Sequence, residues 1–150
     1  MDGQQAGTVP SHPPGRGTLV FQYATVTIFL LGALYPLLAA AAGTGDWAGL
    51  ADPGLSRYGD PKEWDPLLGG LEESWNPLLW IFGISRLVVM VSGITLLGVV
   101  GVVAGVVRLV GGGVGRGRFV ALLVGTLLCA AVTVVMLTPY GAQLRTWLLD

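Results

Sequence analysis

Apolar positions along this chain gather into three long runs, and one polar segment, residues 43–76, parts the first run from the second. The opening stretch, MDGQQAGTVPSHPPGRG (residues 1–17), offers almost nothing to bury and predicts a disordered tail. Residues 18–42, TLVFQYATVTIFLLGALYPLLAAAA, are predominantly apolar. A spanning helix needs about 20 such residues, so this run predicts a first transmembrane helix. Gly32 and Pro36 are the places for a kink, which a membrane helix tolerates better than a soluble one.

The polar segment reads as a series of helix starts. Asp-Pro occurs at 52–53, 60–61 and 65–66, and Asn-Pro at 76–77. Each pair sets an N-cap side chain directly before a proline suited to the first helical position. Asp60 and Glu63 also have capping-box spacing. Short helices, interrupted at Gly69-Gly70, are therefore predicted across 43–76. One phrase appears twice, as Trp64-Asp65-Pro66-Leu67-Leu68 and, eleven residues on, as Trp75-Asn76-Pro77-Leu78-Leu79. The repeat predicts two successive helix starts at a membrane surface, with Trp75 and Trp80 in the positions of a hydrophobic staple. Trp64, Trp75 and Trp80 are assigned as interfacial anchors, because an indole buries its ring while keeping its N–H wet.

From Pro77 to Val107 the only charge is Arg86, and the pattern predicts one helix. Its 31 residues would extend about 46 Å, against a hydrocarbon core of about 30 Å. The membrane core is therefore placed at 87–107, between Arg86 and Arg108. RLVGGGVGRGR (108–118) predicts a basic, glycine-rich turn carrying Arg108, Arg116 and Arg118. Residues 119–138 make a third span, ended by Pro139, and 139–150 form a weakly amphipathic external tail. The fold class is all-α integral membrane. It comprises three transmembrane helices, an acidic extracytoplasmic segment between helices 1 and 2, and a tight hairpin of helices 2 and 3.

Composition supports lipid as the solvent. Only 11% of the 150 residues are charged and 53% are hydrophobic, whereas a soluble domain carries about 25% charged residues. A net charge of −1 argues against nucleic acid as a partner, since phosphate neutralisation needs a basic face. Seven carboxylates in 43–76 against Arg57 and Lys62 leave five net negative charges there. The positive-inside rule puts the 108–118 turn in the cytoplasm, the acidic segment outside, the N-terminus inside and the C-terminus outside a cell membrane. The first run has a second reading, a cleaved signal peptide ending at Ala40-x-Ala42. Its apolar core is longer than the roughly 7–15 residues of a signal, which favours a retained helix.

Chemistry is sparse. His12 stands alone in the tail, whereas a metal site needs three or four convergent ligands. Cys129 lies mid-span with no base beside it. GGGVGRG lacks the Lys-Ser/Thr of a phosphate loop. No Asp or Glu falls inside a span, which counts against a proton- or cation-coupled carrier. No enzyme activity, metal or cofactor is expected. Arg86 has two readings, an interfacial anchor and a buried functional charge.

Small residues are the most informative pattern. Gly98, Gly101 and Gly105 share one face of the second helix, and Ala121, Gly125, Cys129 and Thr133 recur at every fourth position of the third. Without a hydrophobic drive between helices in lipid, close backbone approach over such residues supplies the packing. The expected function is a membrane assembly subunit that packs through these glycine faces into a larger complex and presents its acidic, Trp-rich segment to a partner, as a homo- or hetero-oligomer embedded in membrane lipid. The alternative is a small channel or an accessory subunit of a transporter or respiratory complex. The layout resembles, in outline only, conjugative and secretion-system pilins and phage holins. The acidic insert is long for the former, and the charged cytoplasmic tail of the latter is missing.

Orientation is open to a direct check. In a Cys129→Ser background, a thiol reagent unable to cross membranes should label Gly59→Cys in intact cells and leave Gly115→Cys unlabelled. The reverse pattern would invert the topology.

Overall fold

The computed structural model describes residues 15–51, 54–61, 63–64 and 77–149. Helices dominate, and no strand occurs among these residues. Three helices are long and apolar enough to cross a membrane: Arg16–Thr44, Gly93–Gly111 and Arg116–Leu137.

The first is one helix with a π-helical waist. α1 (Arg16–Phe29) runs through Leu30–Leu34 into α2 (Tyr35–Thr44). Pro36 has no N–H and its ring crowds the carbonyl of Gly32, four residues back. The ladder widens accordingly, and the Tyr35 N–H donates to the Leu30 carbonyl. The helix runs to Thr44, two residues beyond the expected boundary, and is closed by Gly45 in the left-handed conformation (φ 74°). Gly32 is indispensable at the waist, because a Cβ there would collide with the Ser85 carbonyl.

The single helix expected over 77–107 is two. α3 (Pro77–Met90) stops at Val91-Ser92, and α4 (Gly93–Gly111) continues in its place. Ser92 is left-handed (φ 60°) and the only described non-glycine residue with positive φ. Ser-Gly is a common site for sharp kinks, and the left-handed state costs about 1–2 kcal/mol. Arg145 Nη1 donates to Ser92 Oγ at 2.5 Å and helps hold the break. The stretch long enough to span is therefore Gly93–Gly111 rather than 87–107. α3 is 14 residues, about 21 Å, and packs across the waist of the first helix. Tyr35 and Phe82 meet there, ring centroids 5.1 Å apart.

The glycine-rich turn is shorter than 108–118. Only 112–115 are non-helical, with Gly112 (φ 66°) and Gly113 (φ 74°) reversing the chain. Arg108 remains in the last turn of α4, and Arg116 and Arg118 open α5 (Arg116–Leu137). α4 and α5 form a tight hairpin, and α1 packs against both.

The expected tail is a packed helix, α6 (Pro139–Leu149). Thr138 is extended, as the residue before proline prefers, and its Oγ1 accepts the Gly141 N–H at 3.4 Å. Gly141 allows the corner, since a Cβ there would stand 2.5 Å from Met136 Cα and Val135 O. Leu144, Trp147 and Leu148 then enter a core with Ala33, Leu37, Leu55, Tyr58, Val89, Ile94 and Met136. Of the helices expected in 43–76, two single turns of 3-10 helix are described, Ala48–Ala51 and Leu55–Tyr58. At the expected capping box the chain turns, with the Glu63 N–H donating to the Asp60 carbonyl at 3.1 Å. Residues 65–68 of the first repeated phrase, the Gly69-Gly70 interruption, and Trp75 and Asn76 of the second phrase lie outside the described residues, whereas Pro77-Leu78-Leu79 open α3.

The seam predicts an asymmetric response to bulk. Gly101 is buried and Val103 is 57% exposed on the outer face of α4. Gly101→Leu should cost about 1–3 kcal/mol by overpacking, and Val103→Leu close to nothing. Thermal loss of helix in detergent compares them, and equal effects would remove the seam as the organising contact.

Candidate functional site

The most distinctive site is a buried amide that the sequence reading passed over. Gln22, on α1, has no exposed surface. Its Nε2 donates to the Gly101 carbonyl of α4 and to Thr126 Oγ1 of α5, both at 2.9 Å. The carbonyl acceptor at Gly101 fixes which way the amide faces, since the reversed group would set oxygen against oxygen. Thr126 Oγ1 in turn donates to the Leu122 carbonyl at 2.7 Å. Gln22 Oε1 accepts nothing and lies against Gly125, where a Cβ would stand 2.5 Å from it. Three glycines shape this slot, because a Cβ at Gly105 or Gly125 would strike the amide and one at Gly101 would meet Cys129 Sγ at 2.8 Å.

The expected small-residue rows are placed as follows. Gly98 lies over Thr133, Gly101 over Cys129 and Gly105 over Thr126, so α4 meets α5 through these pairs. Gly125 and Ala121 turn instead toward α1, Gly125 to Gln22, and Ala121 through its carbonyl, which accepts from Tyr23 Oη at 3.3 Å. Thr133 Oγ1 donates to the Cys129 carbonyl at 2.8 Å, four residues back in its own helix.

At the opposite end, residues 45–51, 54–61 and 63–64 form a cap with α6. Asp46 Oδ1 accepts the Gly49 N–H at 3.0 Å, and Tyr58 Oη donates to the Asp46 carbonyl at 2.7 Å. Burial raises the Tyr58 pKa above its ordinary value, Asp46 adds to the rise and Arg57 opposes it. Arg57 pairs with Asp46 at 3.3 Å on the surface. Trp64 is held by protein contacts: its Nε1 donates to the Tyr58 carbonyl at 2.6 Å and its ring lies against Gly43. Trp80 is 62% exposed. Trp147 Nε1 reaches the Gly59 carbonyl at 2.8 Å. Arg86, half-buried, donates to the Leu148 carbonyl at 2.7 Å. That carbonyl lies in the last turn of α6, where helix acceptors go unmet and a cation is favoured.

The Gln22 network ties three helices together through a carbonyl of α4 and a hydroxyl of α5. Among the described residues no three His, Cys, Asp or Glu side chains converge as a metal site would require. A shallow groove of about 320 Å³ runs between the Leu55–Tyr58 turn and α6, lined by neutral groups that include Ser56, Gln143, Thr146 and Trp147. The class this defines is an all-helical protein with three helices able to cross a membrane. No protein-family model, no curated protein and no solved structure matches the chain.

Gln22 has a testable signature. Replacing it with Met keeps the volume and strands neither partner. The Gly101 carbonyl lies within α4, and Thr126 Oγ1 keeps its bond to Leu122. Gln22→Met should therefore change stability by less than about 1 kcal/mol. Gln22→Ala should cost about 2 kcal/mol or more through the cavity it leaves. Thermal unfolding in detergent separates the two.

Proposed function

We propose that this chain is an integral membrane structural subunit, one that contributes a rigid three-span bundle to a larger membrane complex. The supporting observation is the glycine seam. Gly98, Gly101, Gly105 and Gly125 are all spent on contacts within the chain, so the bundle is already closed by itself. Assembly then falls to other surfaces, and the acidic, Trp-bearing segment 43–76 is the one whose charge and anchoring suit a partner. The outer faces of α4 and α5, with Leu96, Val103, Val107, Val110, Leu127 and Val134 exposed, are suited to lipid. On this reading the segment lies on the extracytoplasmic side and the α4–α5 turn on the cytoplasmic side.

Affinity purification of the full chain in mild detergent, with mass spectrometry of what accompanies it, tests the proposal. A defined set of membrane proteins should co-purify with the wild type and be depleted at least several-fold by Glu72→Lys with Glu73→Lys. A chain that purifies alone, and conducts ions when reconstituted in liposomes, would replace the subunit reading with a small channel.

A further inference from the structure

We propose that the end of the bundle where α1 and α5 begin is a docking surface for anionic phospholipid head groups. The inference rests on the membrane reading above and adds the lipid class. The fold gathers four arginines there from three helices. Arg116 and Arg118 open α5, and Arg108 closes α4 just across the turn. Arg16 joins them because Gly15 packs beside Val114 of the turn and Leu122 of α5. All four are exposed, and none forms a salt bridge with a described carboxylate. The described acids, Asp46, Asp60 and Glu63, belong to the cap at the other end.

Among the described residues no carboxylate complements this positive charge, and an anionic head group would. Both helices open with the same words, Gly15-Arg16-Gly17 and Gly115-Arg116-Gly117. Neither start has a side-chain cap or an acid in its first turn. A helix start ordinarily favours negative charge, and here arginine adds to the positive end instead. Among the described residues the surroundings are open: a Cβ at Gly17, Gly111, Gly112, Gly113, Gly115 or Gly117 would meet none of their atoms within 4 Å. A phosphate group from the adjoining leaflet could thus approach the guanidinium groups without displacing a side chain. Basic clusters at a membrane boundary draw anionic lipid with about 1 kcal/mol per Lys or Arg, about fivefold in affinity.

The test uses the purified full chain. Flotation with phosphatidylcholine vesicles first establishes insertion. Native mass spectrometry then follows titration with phosphatidylglycerol or phosphatidylcholine of equal chain length. Phosphatidylglycerol should bind more tightly, and each Arg→Gln change at 16, 108, 116 or 118 should weaken it about fivefold. Arg57→Gln, at the cap, should leave it unchanged, and Arg116→Lys with Arg118→Lys should retain the preference. Inorganic phosphate at equal concentration should not displace the lipid. Equal binding of the two lipids, equal loss from Arg57→Gln and Arg116→Gln, or displacement by inorganic phosphate would each overturn the docking surface. A chain that does not float would overturn the membrane reading, and this inference with it.

Discussion

The close approach of three backbones at Gly101, Gly105 and Gly125 is the constraint on which the bundle depends. No Cβ fits at any of these positions without displacing a neighbour. The space they free admits the amide of Gln22, which reaches a carbonyl on α4 and a hydroxyl on α5 together. A polar group so buried is costly unless bonded. Both of its donors are satisfied, so the site selects one register of α1 against the hairpin. In that register the far half of the same helix sets Gly32 against the Ser85 carbonyl, and α3 packs where no side chain intervenes.

The second half of the molecule is organised differently. Its core is large and apolar, with Leu37, Tyr58, Ile94, Met136 and Trp147 at its centre. Three long side chains fasten the pieces around it. Arg145 steadies the left-handed Ser92, Arg86 takes up a terminal carbonyl of α6, and Trp147 takes up the Gly59 carbonyl. The break between α3 and α4 and the return of α6 therefore support one another. The seam end, rich in small residues, relies on close contact, whereas the capped end relies on burial and directed hydrogen bonds. That difference in construction runs parallel to the difference in charge, with four exposed arginines at the seam end and the described acids at the cap.

Much of the architecture was legible locally. Three runs of about 20 or more apolar residues can only be helices when lipid offers no hydrogen bonds, and Gly98, Gly101 and Gly105 declared a contact face by their spacing. The break at Ser92 was legible too in the Ser-Gly pair, although a uniform apolar pattern outweighed it. α6 carried the same signal used elsewhere in the chain, a cap residue before proline at Thr138-Pro139, followed by Gly141, Leu144, Trp147 and Leu148 on one face.

What the sequence by itself determined is element type, because hydrophobic period, proline and glycine act within a few residues of themselves. Partner choice was beyond it. That Gly125 serves α1 rather than α4, that Arg86 meets the end of α6, and that Arg16 joins Arg116 all depend on residues more than sixty positions apart. Nothing in the local pattern distinguishes one glycine face from another, and Gln22 is a lone amide in an apolar run. Only the packed bundle decides these pairings, since each buried donor must find its acceptor while three backbones share one narrow seam.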